Sequence, residues 1–438
     1  MTAEIRFFWA RLNANYWFYP ALFSLGAALL ALGLVALDRS GATTWLNDVK
    51  WLIPARPKGA ADMLTVMAGS MIGVASTVFS ITIAAVAYAS GNYGPRLLTN
   101  FMEDRGNQIS LATFIGSFVY ALVVLRSVRT EDETAVVDQA NMLPGFVPQF
   151  SLLVAYGLMA LCVAVLVFFL NHIPSSIRIN KVLEQIGKRL ISVVQETYPS
   201  EDDFRDLPQP RGGHPLRAWD TGYIQMIDYA DLAKLAIKHD CVISLRVRTG
   251  DFIHREVPLM DILGEAPEDI ADQVRTHFTL GPTRTPEQDP QFLIDELVEI
   301  GVRALSPGIN DPFTAITALH WLGAATAEIG RRDLMRDVCK GVEADSDDCP
   351  VIPLPSDFDH FLARGFGSMR GAVAASPTAA KVMFDVMVDA ATPLANKARR
   401  DSLRQQGEKL MQQAREILTG PDLVGLEKDY GEFCGRFA

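Results

Sequence analysis

The chain has 438 residues, 49% of them hydrophobic and 21% charged, with a formal net charge of −11. That length holds two or three domains, and the hydrophobic share is high for a chain that is globular throughout, so a membrane protein is indicated. Residues 1–170 carry ten Lys/Arg against ten Asp/Glu, leaving 30 against 41 for the rest, and the resulting acidic C-terminal part argues against a nucleic-acid partner. Five cysteines, at positions 162, 241, 339, 349 and 434, match neither a zinc site nor a disulfide framework and are expected to be reduced thiols.

Taken in chain order, four stretches lack Asp, Glu, Lys and Arg: Leu12 to Leu37, Met63 to Pro95, Gly106 to Leu125 and Gln139 to Ile177. Each contains a segment long enough to cross ~30 Å of hydrocarbon as a helix. The spacing predicts transmembrane helices near 17–37, 63–89, 107–126 and 150–170 within a membrane domain of residues 1–175. The first lacks the flanks and cleavage site of a signal peptide and is expected to be retained. An even number of spans puts both termini on one side. Arg6, Arg11, Arg96, Arg105, Arg178, Lys181, Lys188 and Arg189 on that side outnumber Arg39, Lys50, Arg56, Lys58, Arg126 and Arg129 on the other. The positive-inside rule then places the termini in the cytoplasm. Trp9, Tyr16, Trp17, Tyr19, Trp45 and Trp51 flank the first span in the manner of interfacial anchors.

The second span departs furthest from a plain lipid-facing helix. With about 100° per residue, Gly69, Ser70, Gly73, Ser76, Thr77, Ser80, Ala84, Ala87 and Tyr88 fall within an arc of roughly 120°. Met71, Ile72, Val74, Val78, Phe79, Ile83 and Val86 lie opposite, and Thr82 alone breaks the pattern. A small, hydroxyl-bearing stripe suits close helix packing, and it also suits a wetted pathway in an oligomer, since hydroxyls replace part of an ion's hydration shell. The candidate pathway-lining residues are Ser70, Gly73, Ser76, Thr77, Ser80 and Tyr88. No span has a charged residue near its middle, which disfavours a charge-coupled carrier.

Beyond the spans, residues 176–218 read as an amphipathic helix, Ile177 to Thr197, followed by a Pro-rich linker. Residues 219–282 read as a small β-rich domain. "GYIQMID", "CVISLRVRTGDFI" and "VPLMDIL" are strands around a helix at 229–239, with a tight hairpin at Gly250-Asp251. In the second of these strands Arg246 and Arg248 share the polar face. The pattern resembles the barrel hairpins of biotinyl- and lipoyl-type domains. No lysine occupies a hairpin tip, so a purely structural β-barrel without a prosthetic group is expected. A short helix at 266–277 precedes a helical domain, 283–438, which opens with paired helices at 290–305 and 312–329. The fold class is therefore four transmembrane α-helices followed by an α+β region with a small barrel and a helical C-terminal part.

Between the paired helices, "RALSPGINDPFTA" stops one helix at Pro307-Gly308 and restarts another at Pro312, with Asn310 or Asp311 as cap. The same corner offers free N–H groups to an anion, with Arg284, Arg303, Ser306, Asn310 and Asp311 as the candidate ligand-binding residues. Ser306 lacks a nucleophile-elbow context and a nearby histidine, and the scattered histidines form no metal pair, so neither an enzyme nor a metal or cofactor site is expected.

"YGPRLLTNFMEDRGNQISLATFIGSFVYALVVLR", "RTGDFI" and "RTPEQDPQFLIDELVEIGVRALSPGINDPFTA", together with the four spans, resemble the bacterial predicted membrane proteins of the domain-of-unknown-function family 2254. The resemblance covers nearly the whole chain and implies an integral inner-membrane protein with a cytosolic C-terminal portion. It implies no activity. Read together, the residues point to a homo-oligomeric channel in the lipid bilayer whose second span lines the pathway. The alternative is a membrane-tethered sensor or scaffold that binds a small anion or a protein through its cytosolic part.

Overall fold

The computed structural model describes residues 15–43, 55–94, 104–129, 146–176, 178–199, 213–264, 269–336, 338 and 349–437. Trp9, Trp45, Trp51 and most of the Pro-rich linker lie outside the described residues. The chain forms two compact units, Met1–Arg178 and Ile179–Ala438.

The N-terminal unit contains helices α1 (Phe18–Arg39), α2 (Pro57–Tyr93), α3 (Arg105–Leu125) and α4 (Gln149–Ser176). All four are long and apolar enough to cross a membrane. Helix α3 is the centre of the bundle: 61% of its apolar window is buried, against 11% for α1 and 22% for α4. It packs on each of the other three. Exposed Leu25, Leu29 and Leu32 on α1 and Val163, Val167 and Leu170 on α4 give the bundle a hydrocarbon-compatible exterior, because lipid tails and leucine are equally apolar.

The C-terminal unit begins with α5 (Ile179–Thr197), whose apolar side packs on two later helices, α8 (Pro290–Ala304) and α9 (Pro312–Gly330). The strands are β1 (His214–Arg217), β2 (Gly222–Ile227), β3 (Val242–Leu245), β4 (Phe252–Ile253), β5 (Pro258–Leu263), β6 (Phe278–Gly281) and β7 (Val351–Ile352). Helices α6 (Tyr229–Lys238) and α7 (Ile270–Arg275) are interleaved with them. Their shared core includes Ile224, Ile227, Leu232, Ala236, Ile243, Met260 and Val351, each essentially inaccessible to solvent.

The small barrel is not formed. The strands make two separate sheets, β1-β5-β3-β7 and β4-β2-β6. In the first sheet β1 and β7 are free edges, so the ladder never closes on itself. Nor do β3 and β4 form the expected hairpin: β3 pairs with β5 and β7, and β4 with β2. The turn at Gly250-Asp251 instead carries the chain from one sheet to the other, with the Gly250 N–H donating to the Ile224 carbonyl at 2.8 Å. Alternation does hold along this segment. Ile243, Leu245 and Val247 are buried, whereas Arg246 is exposed and Arg248 half-buried.

The remainder is helical: α10 (Phe358–Leu362), a π turn at Ala363–Gly367, α11 (Ser368–Ala374), α12 (Pro377–Ala391), α13 (Lys397–Ile417) and α14 (Gly420–Phe437). Strand β7 and these helices belong to the same unit as the sheets. Arg399 on α13 donates to the carbonyls of Gly330 and Arg332 at 2.9 and 2.8 Å, placing a cation at the C-terminal end of α9 where orphan carbonyls attract it. Cys162, Cys241 and Cys434 are free thiols, but Cys349 is in a disulfide, so reduced thiols throughout is not what the fold contains.

Candidate functional sites

Helix α2 turns its slim face away from its own subunit. Gly69, Ser70, Gly73, Ser76, Thr77, Ser80 and Tyr88 are all exposed, while Leu64, Met67, Met71, Ala75, Val78 and Val86 are buried against the bundle. Of the apolar arc, Ile72, Phe79 and Ile83 are exposed as well and line an apolar groove of about 670 Å³ beside Ser76, between the start of α1, α2 and α3. Three of the exposed hydroxyls are satisfied within α2 itself. Ser76, Thr77 and Ser80 donate to the carbonyls of Ile72, Gly73 and Ser76 at 2.8–3.0 Å. Each therefore keeps acceptor lone pairs for a cation, water or a neighbouring chain.

A second polar feature, which sequence reading missed, runs through the bundle along α3. Ser110, Thr113, Ser117 and Tyr120 are buried, and 100° per residue puts them within an arc of about 80°. Ser110 and Thr113 donate to the carbonyls of Gly106 and Ile109 in their own helix, whereas Ser117 and Tyr120 meet α4. At one end Asp104, which caps α3 by accepting the Gly106 N–H at 2.8 Å, meets His172 Nε2 at 2.7 Å. A Cβ on Gly106 would lie 2.6 Å from that imidazole nitrogen, so the approach requires glycine. Further along, the Cys162 thiol donates to Ser117 Oγ at 3.2 Å and the Tyr120 hydroxyl donates to the Ser151 carbonyl at 2.9 Å. Asp38, at the end of α1, closes the far end. Its carboxylate accepts from the N–H groups of Phe150 and Ser151 at 3.2 and 3.0 Å and from the Ser151 hydroxyl at 2.7 Å. A carboxylate from one span thus caps the first turn of another, where the helix dipole favours negative charge.

In the C-terminal unit, the corner between α8 and α9 is a built stop and restart. Asn310 adopts φ +49°, and the Asp311 carboxylate accepts from the Thr314 N–H at 3.2 Å and the Thr314 hydroxyl at 2.6 Å. That carboxylate already occupies the anion position at the α9 N-terminus. Ser306 accepts the Asn310 N–H on its carbonyl at 2.9 Å, which closes the turn. Arg303 stands near this corner at the C-terminal end of α8, but Arg284 does not. It lies beside Asp289, the N-cap of α8, about 20 Å away along the helix axis.

Arg284 belongs to a different cluster. Its guanidinium donates to Asp289 at 2.5 and 2.8 Å and to Asp295 at 2.6 Å, and Arg364 of the π turn donates to Asp295 at 2.6 and 2.7 Å. Two arginines and two aspartates are thereby alternated and neutralised. Asp289 is only 2% exposed. Burial pushes its carboxyl up, opposed by the charge and hydrogen bonds of Arg284, while Asp295 holds Arg364 further into its charged form. Gly250, at φ +94°, packs directly on the Asp289 carboxylate, where any Cβ would collide. The "RTGDFI" and "RTPEQDP" stretches therefore meet at this point.

Beside the neutralised cluster lies a narrow cleft, with about 30 Å³ of water-accessible space, whose lining includes Tyr198, Arg248, Thr249, Gln288, Arg336 and Ser356. Tyr198 and Ser356 share a hydrogen bond at 2.9 Å, and Arg248 reaches Ser356 Oγ at 3.5 Å. Arg336 donates to the Tyr229 hydroxyl at 2.8 Å and lies over the same ring. Burial raises the Tyr198 hydroxyl, and the nearby charges of Arg336 and Arg248 both oppose that shift. His360, at the neighbouring Gln291, is lowered by burial and then by Arg248 and Arg364. The sequence offered Arg248 only as half of a strand's polar face. Tyr198, Arg336 and Ser356 carry no local signal, because they come from three segments that only the fold brings together.

The family of "Predicted membrane protein (DUF2254)" matches residues 13–389. Among curated relatives, "Uncharacterized protein Mb1321c" of Mycobacterium bovis and "Uncharacterized protein Rv1290c" of Mycobacterium tuberculosis are each 30% identical over 300 residues. The aligned part is 66% of this chain and 56% of each relative, so the chain spans about half the length of the curated relatives it matches. No solved structure matches. With four apolar helices in the N-terminal unit and a family match that covers most of its length, this chain is a membrane protein that belongs to the DUF2254 family.

Proposed function

We propose that the protein is an oligomeric channel of the bacterial cytoplasmic membrane, with both termini in the cytoplasm and with α2 of each subunit turned toward a shared axis. The observation that carries this reading is the outward face of α2. Small and hydroxyl-bearing side chains at Gly69, Ser70, Gly73, Ser76, Thr77 and Ser80 are presented outside the subunit. Hydrocarbon gives such residues nothing, whereas a neighbouring helix gains close approach and an ion gains oxygen ligands. Among the described residues, α3 is packed at the centre of the four helices rather than lining an opening. Assembly is therefore part of the proposal, and Ser70, Gly73, Ser76, Thr77, Ser80 and Tyr88 line the pathway.

The test is reconstitution of purified protein in liposomes under defined cation and anion gradients. Wild type is expected to dissipate at least one gradient, and Ser76→Leu/Ser80→Leu to block that flux while still folding. Flux that is absent for wild type under every gradient, or identical in the double variant, would overturn the channel reading.

A further inference from the structure

We infer that the C-terminal unit contains a binding site for a phosphoryl group, formed in the cleft where Arg248 and Arg336 converge. The inference is independent of the channel reading, and its site lies at none of the candidate anion ligands of the α8–α9 corner.

Half-buried arginines in this unit are held in more than one way. Arg284 and Arg364 are each satisfied by carboxylates at 2.5–2.8 Å, which is how proteins ordinarily hold a guanidinium away from water. Arg370 is held instead by the side-chain oxygens of Gln413 and Gln406 at 3.2 and 3.4 Å, and Arg248 and Arg336 are likewise held without a carboxylate but line a cleft together. Among the described residues, neither forms an ion pair with a carboxylate. Arg248 reaches only the Ser356 hydroxyl at 3.5 Å, and Arg336 the Tyr229 hydroxyl at 2.8 Å and the Gln288 carbonyl at 3.3 Å. Both are half-buried, and both line the same cleft. Both charges also lie close enough to act on the hydroxyl of Tyr198, itself only 5% exposed.

The scaffold around them is rigid. Strand β3 and the sheet-switching turn after it fix Arg248, whose N–H donates to Asp251 Oδ2 at 2.9 Å. Gln288 ties the opposite wall to β2, its side chain accepting from the Ile227 N–H at 3.1 Å and donating to the Ile227 carbonyl at 3.2 Å. The same amide oxygen lies 3.2 Å from Thr249 Oγ1. Two guanidinium groups, together with whichever of the Tyr198 and Ser356 hydroxyls is not donating to the other, supply donors from several directions, which suits the tetrahedral oxygens of a phosphoryl group, while the Thr249 hydroxyl donates to Gln288. Asp289 and Asp295 do not compete for the two arginines, because Arg284 and Arg364 engage them already.

A phosphoryl group reaches such a cleft either on a small soluble molecule or on a lipid headgroup, and two arms of one experiment separate these sources. Purified full-length protein in detergent is titrated with inorganic phosphate and pyrophosphate at constant ionic strength, read by calorimetry and by thermal unfolding against chloride. In the second arm, thermal unfolding is measured in phosphatidylcholine nanodiscs with and without phosphatidic acid. Saturable binding in either arm is expected. Arg248→Gln should weaken it at least tenfold, Arg248→Lys should weaken it less, and Arg248→Gln/Arg336→Gln should remove it. Arg246→Gln, two residues away but exposed and paired with Asp261 at 2.6 Å, should leave it within twofold. The arm that saturates names the source. Wild type that gains no more from either arm than from chloride or plain phosphatidylcholine would overturn the site. So would equal losses in Arg246→Gln and Arg248→Gln, or retention of binding by the Arg248/Arg336 double variant.

Discussion

Helices α2 and α3 are equally apolar over their central windows, and each carries several Ser and Thr at helical spacing. They use those residues in opposite directions. In α2 the hydroxyls of Ser76, Thr77 and Ser80 face out of the subunit and are satisfied by their own helix. In α3 the polar side faces inward, where Ser117 meets Cys162, Tyr120 meets Ser151, and the seam ends on Asp38 and on Asp104 with His172. Composition does not distinguish the two helices. What separates them is which face finds polar partners on a neighbouring span, because a polar group in an apolar interior is tolerated only when it is hydrogen-bonded.

The comparison breaks most sharply at Ser117. Placing a leucine there overfills a position that is 2% exposed and removes the acceptor for Cys162, so Ser117→Leu should cost about 3 kcal/mol in detergent unfolding. A variant as stable as wild type would mean that the seam is not packed. Removing the inter-span cap with Asp38→Ala should cost about 2 kcal/mol, since three donors at the start of α4 lose their acceptor together. An unchanged unfolding midpoint for that variant would dissociate the start of α4 from α1. Tyr120→Phe keeps the ring and deletes one interhelical hydrogen bond, worth about 1 kcal/mol, and a much larger loss would show that the hydroxyl does more than bond Ser151. At the other extreme, Ser76→Leu/Ser80→Leu should change the stability of the subunit by less than about 0.5 kcal/mol, because both sites are exposed on it. If that pair instead destabilises as much as Ser117→Leu does, the outward face of α2 is not outward.

Two pairs of arginines in the C-terminal unit repeat the lesson. Arg284 and Arg248 stand in stretches that begin alike, "RTPEQDP" and "RTGDFI", yet one is neutralised by Asp289 and Asp295 and the other opens onto a cleft. Arg284 was read with Arg303 and the Ser306–Asp311 corner because all lie close in sequence. A straight α8 carries the two arginines to opposite ends of a helix, and proximity along the chain is lost.

The four spans were legible because crossing hydrocarbon demands about 20 apolar residues in a row, a property of composition that needs no partner. So were the ends of α8 and α9: Asp289 and Asp311 cap them, each followed by proline, and these are local events fixed within four residues. The number of strands, the failure of the barrel to close and the sheet switch at Gly250 were settled by pairing. Strand β7, two residues long and more than a hundred positions beyond β3, joins its sheet in parallel and leaves no periodic signal. Likewise only tertiary contact decided which hydroxyls of α2 and α3 would be buried and which arginines would meet a carboxylate. Periodicity defines the faces of a helix, but the free energy of turning a polar face inward depends on donors and acceptors supplied by distant segments.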